Sequence, residues 1–136
     1  MSYLGISRSR TITLHHDGHG LNEALVLESN QQDPDAGGAA HHYGVWYHTP
    51  DGHPQGHQLE VASVQFQHGP RHAVGSSPGC TEAVLLAILI DRLQGFQVGP
   101  FACRENAIKL TKLEECLHWT RARADARAAR GVIGKN

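Results

Sequence analysis

In the first half of this chain hydrophobic residues alternate with polar ones; in the second half they return every three or four positions. Alternation at period two marks half-buried strands, and a period near 3.6 marks helices. TITL (Thr11–Leu14) is β-prone and runs into the turn-rich HHDGHG. EALVLES (Glu23–Ser29) fits a strand or a short helix, and turn signals at both ends favour the strand. HHYGVWYHT (His41–Thr49) alternates aromatic and β-branched residues. LEVASVQFQHG (Leu59–Gly69) is the clearest strand. Strict alternation puts Leu59, Val61, Ser63, Gln65 and Gln67 on one face and Glu60, Ala62, Val64, Phe66 and His68 on the other. Polar loops separate these runs: QQDPDAGGAA (Gln31–Ala40), and PDGHPQGH (Pro50–His57) with its Asp51-Gly52 hairpin signal. Four such runs predict a small antiparallel meander.

GSSPG (Gly75–Gly79) then breaks the chain. Thr81 is placed as the N-cap of a helix running to about Leu93. Its VLLAILI core (Val84–Ile90) is apolar nearly all round, so burial on more than one side is expected. Gly95, Gly99 and Pro100 end it, and a long second helix is predicted from about Ala102 to Arg130, with Gly131 as its C′ residue. Asn106, Leu110, Leu113 and Leu117 form one narrow stripe on that helix, while Ile108 and Trp119 lie opposite. A hairpin partner covers only one stripe. The second needs the sheet or another subunit, and an oligomer is expected. The fold class is therefore α+β: a small antiparallel β-sheet followed by an antiparallel helical hairpin. Residues 1–136 are taken as a single domain, β-rich over 1–72 and hairpin over 80–131.

Composition sharpens this picture in two places. The net charge of −1 conceals a gradient: residues 1–70 hold two basic and seven acidic side chains, residues 101–136 eight basic and four acidic. Such polarity attracts an anionic ligand to one end, or brings the two halves of an oligomer together. Cys80, Cys103 and Cys116 are odd in number and lack CxxC spacing, which reads as free thiols in a reducing cytosol. The N-terminus has no signal-peptide run, and VLLAILI is too short to span a bilayer. A soluble intracellular protein is expected.

Candidate chemistry concentrates in Gly95–Gly131. Arg123, Arg127 and Arg130 form one stripe at i, i+4 and i+7, with Arg121 pointing elsewhere. Guanidinium forks in line suit phosphates, but cations at a helix C-terminus also complement the macrodipole without any ligand. Phe96 and Phe101 flank a glycine-rich loop and either stack on a base or plug the hairpin core. Asp91 and Arg92 read as structural partners of the second helix. Ten of the eleven histidines lie at or before His72, and His53 and His57 fit an HxxxH count. They sit in a Pro/Gly turn with no cysteine nearby, which speaks against a native metal site. No GxSxG, P-loop or GxGxxG is present.

Residues Val64–Gly134 resemble a phage family. The pieces are VQFQHGPR (Val64–Arg71), GCTEAVLLAILIDRLQGFQVGPFACRENAIKLTKLEECLHW (Gly79–Trp119) and the RxxxRxxRGVxG tail (Arg123–Gly134). They are similar to the helical hairpin domain shared by phage anti-CBASS and Thoeris anti-defence sponge proteins. The β-rich extension and the length favour the Thoeris branch. The resemblance implies a protein that binds nucleotide signals of bacterial immunity without cleaving them, needs no cofactor and works in the host cytoplasm. In the Thoeris branch the ligand is a cyclic ADP-ribose isomer, made from NAD by a TIR-domain enzyme. Some members also hold cyclic di- or trinucleotides at separate sites in a hexamer, so a homo-oligomer, dimer or hexamer, is implied here.

By motif position the resemblance implies that Phe96 stacks on adenine, Asn106 bonds a polar edge and Arg123 engages base or pyrophosphate. Arg127, in the same stripe, is a further ligand-binding candidate. Arg71 of the GPR motif would hold cyclic oligonucleotide phosphates. Two departures stand out: Val98 replaces a basic residue common in the family, which weakens the cyclic-oligonucleotide case, and the tail reads GVIGKN rather than GVEGT. The alternative is a nucleic-acid-binding protein using the arginine-rich helix. The charge of −1 and pI near 6.8 oppose it. A metal-dependent enzyme built on the histidines is the third reading.

Overall fold

A computed structural model describes residues 9–48, 58–68 and 78–131. The chain divides into two compact units, Met1–Gly79 and Cys80–Asn136.

The first unit is a four-stranded sheet of β1 (Arg10–Ile12), β2 (Leu25–Ser29), β3 (His42–His48) and β4 (Gln58–Gln65). The strands lie in chain order and every neighbouring pair is antiparallel, so the sheet is the expected meander. Ile12, Leu27 and Val45 stand side by side across three strands, as do Leu25 and Tyr47. Tyr43 meets Phe66 edge to face at 5.8 Å. The sheet also buries polar groups. Glu28 and Ser29 are 2% and 0% exposed. They are tolerated because Ser9 Oγ donates to Glu28 Oε2 at 2.7 Å and Arg10 Nε donates to Ser29 Oγ at 3.1 Å.

β4 departs from strict alternation. Val45 faces Ala62 but Trp46 faces Glu60, which leaves Val61 as an extra residue in a bulge. One inserted residue reverses the alternation beyond it. Leu59 therefore shares a face with Ala62 and Val64, and Glu60 shares the other with Ser63, contrary to the expectation from spacing. The loop after β2 holds a short helical turn. Pro34–Ala36 form a 3-10 turn, Asp33 accepts from the Asp35 N–H, and Gly37 closes the turn at φ 81°. The Asp51-Gly52 turn lies outside the described residues.

The second unit is the helical hairpin, α1 (Glu82–Gln97) and α2 (Arg104–Ala129). Thr81 caps α1 as expected, accepting from the Val84 N–H at 3.4 Å. α1 does not stop at Leu93; it runs through Gly95 to Gln97. The Gln97 side chain explains this, since its amide both accepts from Cys103 N (3.1 Å) and donates to Cys103 O (3.2 Å). That clasp sets the turn at residues 98–103, and α2 starts at Arg104 instead of Ala102. The far end behaves as the sequence predicted: Gly131 adopts φ 72° and bonds the Ala128 carbonyl.

The hairpin core is thin. Ile90 and Leu93 are buried, and α2 contributes no buried residue. Asn106, Leu110, Leu113 and Leu117 are each half-buried, as one stripe facing α1 should be. Ile108 and Trp119 on the opposite side are 43% and 71% exposed, and Val84 and Ile88 on α1 are 49% and 58% exposed. Burial of α1 on more than one side is therefore not achieved within the hairpin unit itself. No described helix is long and apolar enough to cross a membrane.

Candidate functional site

The turn of the hairpin gathers aromatic and polar groups on a fixed frame. Phe96 lies in the last turn of α1, partly buried, with its ring edge-to-face against Phe101 at 6.2 Å. Arg92, one helical turn earlier, places its guanidinium carbon 4.8 Å from the Phe96 ring centroid. The expectation that Arg92 pairs with the second helix gives way to this contact on its own helix, which the i, i+4 spacing makes natural. Asn106 sits in the first turn of α2, half-buried and at the same end of the hairpin. The Gln97–Cys103 clasp holds the two helix ends together between them.

The arginines lie at the other end. Arg123 is exposed, Arg127 is half-buried, and Arg130 caps the helix. α2 is one continuous helix from Arg104 to Ala129. At 1.5 Å per residue, the seventeen positions from Asn106 to Arg123 span about 26 Å. At about 100° per residue the two side chains also leave the helix roughly 100° apart. That gap is more than twice the roughly 10 Å diameter of a helix. A single chain brings Phe96 and Asn106 to one end and carries Arg123 and Arg127 to the other.

Arg71, His53 and His57 lie outside the described residues. Val98 is 90% exposed at the tip. Among the described residues no group of three His, Cys, Asp or Glu side chains is disposed to hold a metal ion.

The sheet unit contains a feature that spacing did not reveal. Asn30, Gln31, Gln32, Asp33, Pro34, His41 and His68 line an open cavity of about 470 Å³. His68 Nε2 bonds Asp33 Oδ2 at 2.9 Å, and the His41 and His68 rings meet edge to face at 4.9 Å. The His68 hydrogen bond, together with the Asp35 N–H, holds the Asp33 carboxyl below its ordinary value. His68 and Asp33 are 35 positions apart, and no local signal links them.

Residues 59–125 match the model of the family described as Acb2/Tad1, hairpin domain. The matched span holds Phe96, Asn106 and Arg123 and ends before Arg127. The chain is also similar to Thoeris anti-defense 1 of Bacillus phage SBSphiJ7, at 47% identity over 75 residues. Those residues cover 55% of this chain and 52% of that protein, so the chain spans about half the length of this curated relative.

Proposed function

We propose that this chain, whose residues 59–125 match the Acb2/Tad1 hairpin-domain family, sequesters a nucleotide immune signal without cleaving it. The ligand is a cyclic ADP-ribose isomer. The name of the similar phage protein, Thoeris anti-defense 1, supports the direction of this reading. Phe96 stacks on the adenine, Asn106 bonds a polar edge, and Arg123 and Arg127 take the pyrophosphate. Arg71 is assigned to cyclic di- or trinucleotide phosphates at a separate site.

One observation carries the architecture of the pocket: Asn106 and Arg123 are about 26 Å apart along one helix. No side chain bridges that gap, so each pocket takes Phe96 and Asn106 from one copy and Arg123 and Arg127 from a second. In an antiparallel two-fold pairing of α2 helices, position 106 comes level with position 123 when the axis crosses between Glu114 and Glu115.

Affinity requires the same enclosure. Nanomolar capture corresponds to about −12 kcal/mol. A stacked base supplies roughly 1–3 kcal/mol, and a hydrogen bond to a charged group roughly 1.5–3 kcal/mol. A few such contacts on an open helix fall short. A preformed pocket closed by two chains narrows the shortfall by lowering the ordering cost. The test is calorimetry against cyclic ADP-ribose isomers and cyclic di- and trinucleotides, with Arg123→Ala and Arg71→Ala run alongside. The reading expects Arg123→Ala to lose the ADP-ribose class alone. Cleaved nucleotide recovered from the heated complex would replace capture by catalysis.

A further inference from the structure

Phe96 has a built environment that its proposed role in stacking does not by itself require. Its ring carries the Arg92 guanidinium over one face at 4.8 Å and meets Phe101 edge to face at 6.2 Å. Two neighbours therefore restrain the ring's orientation. We propose that Arg92 is a positioning and specificity residue of the nucleotide pocket, backing Phe96 so that the ring accepts a purine on the side away from Arg92. This inference rests on the assignment of Phe96 as the stacking residue.

The physical argument has three steps. A cation over an aromatic face is attracted by the ring quadrupole, and the contact fixes the ring as well as the arginine. Drawing π density toward Arg92 leaves the opposite face less electron-rich, which favours offset stacking with an electron-rich purine and disfavours a cationic ring. Among the described residues the Arg92 guanidinium makes no hydrogen bond or ion pair that competes with its contact on the ring. The bland role of Arg92 is an i, i+4 packing contact with Phe96 on the surface of α1. That role affects helix stability and not the choice of ligand.

Calorimetry with a cyclic ADP-ribose isomer as probe separates the two roles, using the parent protein and the variants Arg92→Ala, Arg92→Gln, Arg92→Lys and Phe96→Ala. Thermal melts of each variant report folding. The expected result is a Kd raised about three- to tenfold in Arg92→Ala and Arg92→Gln at an unchanged melting temperature. Arg92→Lys, which keeps a cation over the ring, should lie within about twofold of the parent. Parent-like affinity in Arg92→Ala with binding lost in Phe96→Ala overturns the role of Arg92 and leaves the sponge reading standing. Lysine as weak as alanine, or a loss of affinity that tracks a lowered melting temperature, overturns it too. No binding by the parent, or full binding by Phe96→Ala, removes the stacking assignment and this inference together.

Discussion

Two defective variants should restore each other if the pocket lies between chains. Phe96→Ala removes the stacking ring, worth roughly 1–3 kcal/mol, or about 5- to 150-fold in Kd. Arg123→Ala removes a charge-assisted contact worth roughly 1.5–3 kcal/mol. Each homogeneous variant then leaves every site one contact short. In a mixed assembly, a site is intact only when its Phe96 comes from an Arg123→Ala chain and its Arg123 from a Phe96→Ala chain. With equal amounts and random pairing each condition holds about half the time, so roughly one quarter of all sites recover parental affinity. The fraction is the same for a dimer or for a larger ring of such pairs, because it depends only on each site drawing on two chains.

The assay is co-expression of the two variants under different tags, followed by titration with a cyclic ADP-ribose isomer a few-fold above the parental Kd. Tight-site stoichiometry near a quarter of the parent's supports the two-chain pocket. A stoichiometry near zero, with both tags recovered in one assembly, refutes the argument from helix length. Either homogeneous variant binding at full stoichiometry and affinity removes its residue from the site.

Nucleotide extracted from the heated complex should match the input in mass and chromatographic retention. Trp119 lies one turn before Arg123 on α2 and is 71% exposed in the single chain. In a Trp46→Phe background its fluorescence should therefore blue-shift as the protein associates, and an unshifted spectrum in the assembled state would exclude that face from the interface. Gly79→Ala should destabilise the protein by about 1–3 kcal/mol in a thermal melt, because a Cβ there collides with the Gln65 carbonyl and the Phe66 backbone. Asp33, held below its ordinary value by His68, adds stability that is fully present above the normal carboxylate range and is lost as pH falls through its lowered value. Asp33→Asn should therefore flatten the acid limb of melting temperature against pH; an unchanged limb counts against the Asp33–His68 contact.

What the sequence disclosed and what it concealed follow one physical division. Thr81 and Gly131 were legible because a cap and a C′ glycine act within a few residues of themselves. The inner stripe from Asn106 to Leu117 was legible because 3.6-residue spacing is a property of one helix. The bulge at Val61 was not, since it arises in pairing with β3 and carries no glycine to announce it. Nor was the true end of α1, which depends on Gln97 reaching Cys103 across the turn. The Asp33–His68 contact joins residues 35 apart and had no local trace at all.

The candidate site straddles this division. Phe96, Asn106 and Arg123 came together only through the resemblance, which says that residues share a ligand but not which chain supplies each one. The same helical spacing that makes α2 recognisable places Asn106 and Arg123 about 26 Å apart. If the two residues serve one ligand, as proposed, a rigid helix unites them by meeting another copy of itself. In the proposed site, the need for a second copy thus follows from the length of a single helix.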